Sequence, residues 1–331
     1  MDGPEVSVVA APDPALLSEI SDLLDRSERA RGHVAVSEQK TFSLTAAVRG
    51  GAPSGGTALV AALVARRRGH GALVGVAPLV GDRASAGFAV EVVVSPTAGR
   101  PAEVADALVD AALDWVTGAG GGRLRLWASR ATAADDDRAA ARGFRRERDL
   151  LQLRCPLPLD GGDPVAGAAI RTRPFRPGRD EEALLAVNNR AFASHPEQGG
   201  WTLASLEERE REPWFDPGGI LLLDEGGRLV GFCWTKVHED SDPPMGEIYV
   251  IGVDPDVRGR GWGRALTRAG LDWLAGRGLS VGMLYVDGAN TAALTLYLSM
   301  GFTQDHVDRA YVVRLDAGTA AAGGDQPTPT R

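Results

Sequence analysis

Residues 247–263 read EIYVIGVDPDVRGRGWG. An apolar run leads into a turn of alternating glycine, and Leu266, Ala269, Gly270, Trp273 and Leu274 then recur at helical spacing. The stretch predicts a strand, a glycine-rich turn and a helix. A helix N-terminus carries unpaired N–H groups and partial positive charge. Glycines let those N–H groups approach an anion, and Arg258, Arg260 and Arg264 add full charges. The turn therefore predicts a phosphate or pyrophosphate ligand. It is not a P-loop, because GxxxxGK[ST] is missing. It is a poor dinucleotide fingerprint too: the spacing is G-x-G-x-G, it falls late in its domain, and no acid is evident after the next strand. A plain surface turn with solvated arginines is the alternative that the stretch alone leaves open.

The chain carries the pattern twice. FAVEVVVSP (88–96) parallels EIYVIGVDP (247–255), GGRLRLWAS (121–129) parallels SVGMLYVDG (280–288), and RAAARGF (138–144) parallels TLYLSMGF (295–302). LLQLRC (150–155) and AYVVRL (310–315) read as the strand that closes each series. Such a long-period repeat implies two copies of one domain. Residues 1–156 form the first copy, 157–168 a Gly/Pro/Asp-rich linker, 169–316 the second copy, and 317–331 a disordered tail. In the second copy, GGILLLDEGGRLVGFCWTKV (218–237) reads as a hairpin turning at DEGGR. Strands alternating with helices give an α/β class, or α+β with a mixed sheet.

Bulk properties narrow the function. The 331 residues suit two domains, and a formal net charge of −8 argues against a nucleic-acid partner. The two cysteines, Cys155 and Cys233, build neither a disulfide framework nor a zinc site, so no metal is expected. The opening MDGPEVSVVAAPDP lacks a leader pattern and no apolar run is long enough to span a bilayer, which points to the cytoplasm and no membrane partner.

The segment Arg258–Gly263 resembles the GNAT acetyltransferases, whose signature is Q/R-x-x-G-x-G/A: Arg258, Gly261 and Gly263 match it in place. Asn290, Ala293, Tyr297 and the pair Gly301–Phe302 fit the family's N-x-x-A…Y…GF segment. The resemblance covers most of 168–316 and implies two tandem GNAT domains. It implies acetyl-CoA as cosubstrate, with its pyrophosphate on Arg258, Gly259, Arg260, Gly261, Trp262, Gly263 and Arg264. Its arm would run along Ile251, Gly252 and Val253 and beside Asn290, Thr291, Ala292, Ala293, Leu294 and Thr295.

Within the family the whole chain resembles the actinobacterial two-domain enzymes that acetylate the cysteine amine of a cysteinyl-glucosaminyl-inositol. The supporting stretches include HVAVSEQ (33–39), HPEQGGW (195–201) and FCWTKVH (232–238). The resemblance implies Glu247 as general base, Tyr297 as general acid, and Glu38, Glu197, Lys236, Glu247 and Tyr285 as substrate contacts, with the substrate between the two copies. In the first copy SPTAGRPAE (95–103) replaces the glycine turn, Phe88 stands for Glu247 and Ala139 for Tyr297. The second copy is therefore expected to do the chemistry and the first to wall the cleft. Cys233 is a nucleophile type but fits a buried strand position. His195 and His238 are base types with no partner visible in the sequence. Two other functions fit the same residues: acetylation of another small amine or a peptide N-terminus, and non-catalytic acyl-CoA sensing. A monomer is expected, since one chain supplies both domains.

Overall fold

The computed structural model describes residues 3–31, 44, 58–69, 71–82, 87–159, 170–193 and 199–318. Glu38, Glu197, His195, most of the linker and the tail beyond 318 lie outside the described residues. In the first half β1 (Glu5–Val9) and α1 (Pro14–Arg31) precede the strands β2 (Ala58–Arg66), β3 (Leu73–Asp82), β4 (Gly87–Glu91) and β5 (Val93–Val94). Then come α2 (Pro101–Gly118), β6 (Gly122–Ala128), α3 (Ala133–Ala141) and β7 (Arg145–Pro156). The second half opens with β8 (Thr172–Pro174), α4 (Glu181–Ala191) and α5 (Leu203–Glu210), followed by β9 (Ile220–Glu225), β10 (Arg228–His238) and β11 (Met245–Val253). It ends with α6 (Trp262–Gly276), β12 (Val281–Asp287), α7 (Thr291–Ser299) and β13 (Thr303–Leu315).

The strands form one mixed sheet in the order β1-β2-β3-β4-β6-β13-β7-β12-β11-β10-β9-β8, with β5 beside β3. Local chemistry sets the elements. Gly226 and Gly227 take φ of 59° and 80°, the left-handed pair that a tight hairpin turn needs between β9 and β10. Capping boxes at Thr132/Asp135 and Thr202/Ser205 start α3 and α5. Apolar residues on both faces of β2 and β10 read as continuous runs because helices cover both sides. In the first half Leu108 and Val104 of α2 pack on one face and Leu17, Ile20 and Leu23 of α1 on the other. In the second half Leu266, Leu271 and Leu274 of α6 pack on one face and Leu184 of α4 and Leu206 of α5 on the other.

The last strands are exchanged. β7 of the first half pairs with β12 of the second, from Val281↔Pro156 to Asp287↔Leu150. β13 of the second half pairs with β6 of the first, from Arg309↔Ala128 to Leu315↔Gly122. The two lie antiparallel beside each other, from Thr303↔Arg154 to Val312↔Arg145. LLQLRC and AYVVRL thus close not their own halves but each other's.

Ion pairs lock this crossing. Arg309 of β13 is buried; its Nε donates to Asp149 Oδ1 at 2.6 Å and its Nη1 to Asp136 Oδ1 at 2.8 Å. The Tyr311 hydroxyl donates to Asp136 at 2.9 Å, and Arg146 also binds that carboxylate. The Arg146 hydrogen bond, with those of Tyr311 and Arg309, outweighs desolvation and lowers the Asp136 carboxyl to about 2. A carboxyl depressed on folding stabilises the fold above its unfolded value near 3.8 and loses that contribution as pH falls toward 2. Asp136→Asn is expected to cost about 1–3 kcal/mol at neutral pH, since buried Arg309 loses half its partners. Thermal melts from pH 7 down to pH 2 check this: the gap to wild type should shrink as pH falls from about 4 to about 2. A gap constant with pH would refute it.

Candidate active site

The middle of β11 is where the second half departs from a regular sheet. On one side β11 pairs with β10, but Trp234 faces Val250 while Thr235 faces Ile248, so Tyr249 is an extra residue in a bulge. On the other side its parallel pairing with β12 runs only from Met245↔Val281 to Ile248↔Leu284. Among the described residues, Val250 to Val253 continue with no strand paired on that side. The sheet is split, and the backbone groups on that edge of β11 are available to a ligand. In the first half the equivalent pairing of β4 with β6 runs two residues further, to Glu91↔Trp127, and β5, the counterpart of Gly252–Val253, then pairs with β3 and not with β6 among the described residues.

The split leads to the glycine turn. Asp254 anchors its base: it is buried and accepts hydrogen bonds from the Asp256 N–H at 3.0 Å, Arg190 at 3.0 Å and Arg228 at 3.2 Å. Burial opposes its charge, but that N–H and the two guanidinium charges more than compensate and hold its carboxyl below the ordinary range. Gly259 and Gly261 take φ of 81° and 80°, and a Cβ on either would meet nothing within 4 Å, so the backbone faces open space. Gly261 starts α6, no side chain caps it, and the first turn holds no acid. A concavity of about 390 Å³ lies over this N-terminus, lined by Val253, Val257, Arg258, Gly259, Gly261, Trp262, Gly263 and Arg264 and, from α7, by Ala292, Ala293 and Leu296. Unpaired N–H groups, left-handed glycines and two lining arginines fit a pyrophosphate.

The reactive groups flank the split. Glu247 is buried on β11 opposite Lys236 of β10, and His238 Nε2 lies 2.7 Å from Glu247 Oε2. Burial raises the Glu247 carboxyl, but the His238 hydrogen bond and charge, with Lys236 adding, prevail and hold it below the ordinary range. Lys236 Nζ stands 4.1 Å above the Trp214 ring and 5.4 Å from that of Tyr249, the bulged residue. Tyr285 of β12 accepts a hydrogen bond from Gln152 of β7 at 2.8 Å, and Gln152 in turn accepts one from Arg154 at 2.8 Å. Tyr297 of α7 is buried against Phe302, and burial, with Cys233 close by, pushes its phenol well above the usual range. Its hydroxyl has no hydrogen-bond partner among the described residues, yet it is not sealed from open space. Cys233 is fully buried, which pushes its thiol up to about 12 and keeps it from acting as a nucleophile.

A family profile for the GNAT acetyltransferases matches residues 182–302. The mycothiol acetyltransferase of Streptomyces griseus is 42% identical over 93% of this chain and 95% of its own. The chain belongs to the mycothiol acetyltransferases of the GNAT family. The Thermobispora bispora mycothiol acetyltransferase is 55% identical over 58% of this chain and 66% of its own length. Among solved structures, a tandem GNAT protein from the clavulanic acid biosynthesis pathway is 18% identical, covers 96% of this chain and all of its own, and superposes with a TM-score of 0.67, a likeness of fold.

Against this fold the sequence expectations sort clearly. The chain brings Arg258, Gly259, Gly261, Trp262, Gly263, Arg264, Val253, Ala292 and Ala293 to one concavity. Arg260 turns away to Glu225 at 3.1 Å, and Asn290 caps α7 through the Ala293 N–H. Ile251 packs into the core on the α6 side, and Gly252 allows Phe232 to approach, since a Cβ there would lie 2.7 Å from it. Thr291, Leu294 and Thr295 sit on α7 outside the lining, Thr295 bonding back to the Thr291 carbonyl. Lys236, Glu247 and Tyr285 share the sheet face opposite α6. Val257, Leu296 and Gln152 are not among the residues the sequence singles out; His238 is, as a base type without a visible partner, and the structure supplies that partner in Glu247.

Two glycines of α6 separate backbone from packing constraints. Gly261→Ala strains only a left-handed φ and should cost about 1 kcal/mol. Gly270→Ala places a Cβ 2.5 Å from Cys233 Sγ and 2.7 Å from Ile248 Cδ1. That overpacking should cost about 1–3 kcal/mol. Thermal melts should rank Gly270→Ala below Gly261→Ala; the reverse order would contradict the packing described.

Proposed function

We propose that the second half transfers the acetyl group of acetyl-CoA to the cysteine amine of desacetylmycothiol, the cysteinyl-glucosaminyl-inositol that precedes mycothiol. The observation that carries the reading is the split between β11 and β12: it joins a buried, ionised carboxylate to an uncapped glycine N-terminus. Acetyl-CoA supplies an activated thioester. Arg258 and Arg264, with the N–H groups from Gly259 to Arg264, would hold its pyrophosphate, and the edge of Val250–Val253 its arm.

An α-amino group with a pKa near 8 is neutral in roughly one molecule in ten at pH 7, so attack needs only a modest proton acceptor. Glu247, ionised across the neutral range, takes the amine proton directly or through a water. Lys236 and Tyr285 beside it bind the acceptor, joined by Glu38 and Glu197. Tyr297 keeps its proton at any physiological pH and donates a hydrogen bond to the departing sulfur. Complete transfer from a phenol above 10 to a thiolate near 8.5 is uphill by about 2 kcal/mol, so the hydrogen bond is its main contribution. Attack is direct, because buried Cys233 cannot carry the acetyl group. The first half walls the cleft, and a single chain in the cytoplasm is a complete unit.

Mass spectrometry tests the reading. Purified protein and acetyl-CoA are offered desacetylmycothiol beside a panel of other amines. Acetylated desacetylmycothiol should dominate, and Glu247→Ala should lower its formation by about 10²–10⁴-fold. Preferred acetylation of another amine sinks the acceptor assignment, and binding of acetyl-CoA without any turnover favours a sensor.

Stoichiometry is a second test. In the first half no residue of 95–101 adopts a left-handed backbone. The loop closes on itself, with Ser95 and Thr97 hydroxyls 2.9 Å apart and Arg100 paired with Glu103 at 2.8 Å. Calorimetry should therefore find one acetyl-CoA per chain; two comparable sites would overturn the assignment to the second half alone.

A further inference from the structure

We propose that His238 is the positioning residue of the base, holding the Glu247 carboxylate in place and charged, so that the two work as a pair. The inference rests on the role proposed above for Glu247. His238 Nε2 and Glu247 Oε2 are 2.7 Å apart, and at that distance a hydrogen must lie between them, because two bare lone pairs would repel. Both side chains are largely enclosed, at 19% and 10% exposure. Among the described residues no other group hydrogen-bonds this carboxylate, and Oε1 is left open to the cleft rather than sealed. His238 Nδ1 has no protein partner there either.

The imidazole is placed by its strand. Lys236 stands opposite Glu247 and His238 opposite Met245, so the ring reaches Glu247 diagonally on one sheet face. Ser241 Oγ, 2.8 Å from the His238 carbonyl oxygen and 3.0 Å from that of Pro243, closes the turn after β10. The other groups facing the pair are Lys236 on β10, held over Trp214, and Tyr285 on β12, which feels both Glu247 and Asp308 of β13 and lies within reach of Arg154 of β7. None of these donates to Glu247.

The proton balance is simple. As the C–N bond forms and the thioester C–S bond breaks, the CoA sulfur leaves as a thiolate beside the Tyr297 hydroxyl and the amine proton passes to Glu247 Oε1, directly or through one water, while Nε2–H stays on the ring and orients Oε2. The protonated carboxyl later returns its proton to solvent. Burial alone would favour a neutral Glu247, and His238 is the main counterweight. Removing the imidazole should therefore leave Glu247 protonated at higher pH, where it cannot accept a proton.

The experiment compares kcat/KM for desacetylmycothiol from pH 6 to pH 9 in wild type, His238→Gln, His238→Ala and Glu247→Gln, each first checked for a native melting transition. Taking the ratio of variant to wild type at each pH cancels the titration of the substrate amine. For His238→Ala the ratio should stand within a few-fold of one at pH 9 and fall toward low pH. Below the pH at which Glu247 protonates in the variant, the slope should approach tenfold per unit, the signature of one added protonation. His238→Gln keeps an N–H donor and should fall between. A ratio that is flat with pH for both variants overturns the pair and leaves His238 a packing residue. Glu247→Gln separates the two readings. If it retains wild-type kcat/KM, Glu247 is not the base and both fail. If it is inactive while the His238 ratios are flat, only the pair fails.

Discussion

The antiparallel ladder of β7 against β13 is the constraint on which the rest of the molecule depends. Each strand finishes the half-sheet of the other copy, so neither half is complete with its own residues. Without β7, β12 would present an unpaired edge in the centre of the sheet, and without β13 so would β6. The crossing also buries Arg309, whose charge is tolerable only because Asp136 and Asp149 come from the first half. Folding of the two copies is thus coupled by hydrogen bonds and by an ion-pair network with members on both.

That rigid centre lets the sheet be broken beside it. Among the described residues the edge of Val250–Val253 has no paired strand, which is costly unless another group pairs with it. The bulge at Tyr249 turns the cost to use: it swings the aromatic ring toward Trp214 and Trp234 and frees the next backbone groups. The strand end then delivers the chain through Asp254 to the glycine turn. In the first half the pairing of β4 with β6 runs two residues further before it stops, and the same helix starts at Pro101 behind Arg100 instead of a left-handed glycine. The difference between the copies is a difference in where the sheet stops.

Local features were legible in the sequence. The glycine turn, the helix after it, the hairpin at DEGGR and the repeat are set by residues near one another, and the structure has each in place. The buried face of α6 is displaced slightly, with Thr267 and Leu271 inside and Trp273 only partly covered. What the sequence hides is pairing across distance. Nothing in LLQLRC or AYVVRL says which neighbour each chooses, because both are apolar strands that fit either site. His238 seemed partnerless because its contact depends on the register of β10 against β11. The pairing of Arg260 with Glu225 is hidden in the same way, because the two lie far apart in sequence.

The exchange also ties the second half's site to the first half. Tyr285, which faces the proposed acceptor site, is oriented by Gln152, and Gln152 by Arg154, which pairs with Asp305 at 3.2 Å. Gln152 and Arg154 lie on β7, the strand lent by the first half. The proposed base and acid, Glu247 and Tyr297, sit on second-half elements, whereas the groups that orient Tyr285 sit on β7. That strand is held in register by β13, and β13 by β6. The geometry around Tyr285 therefore depends on the sheet of the first half, whatever chemistry that half itself carries.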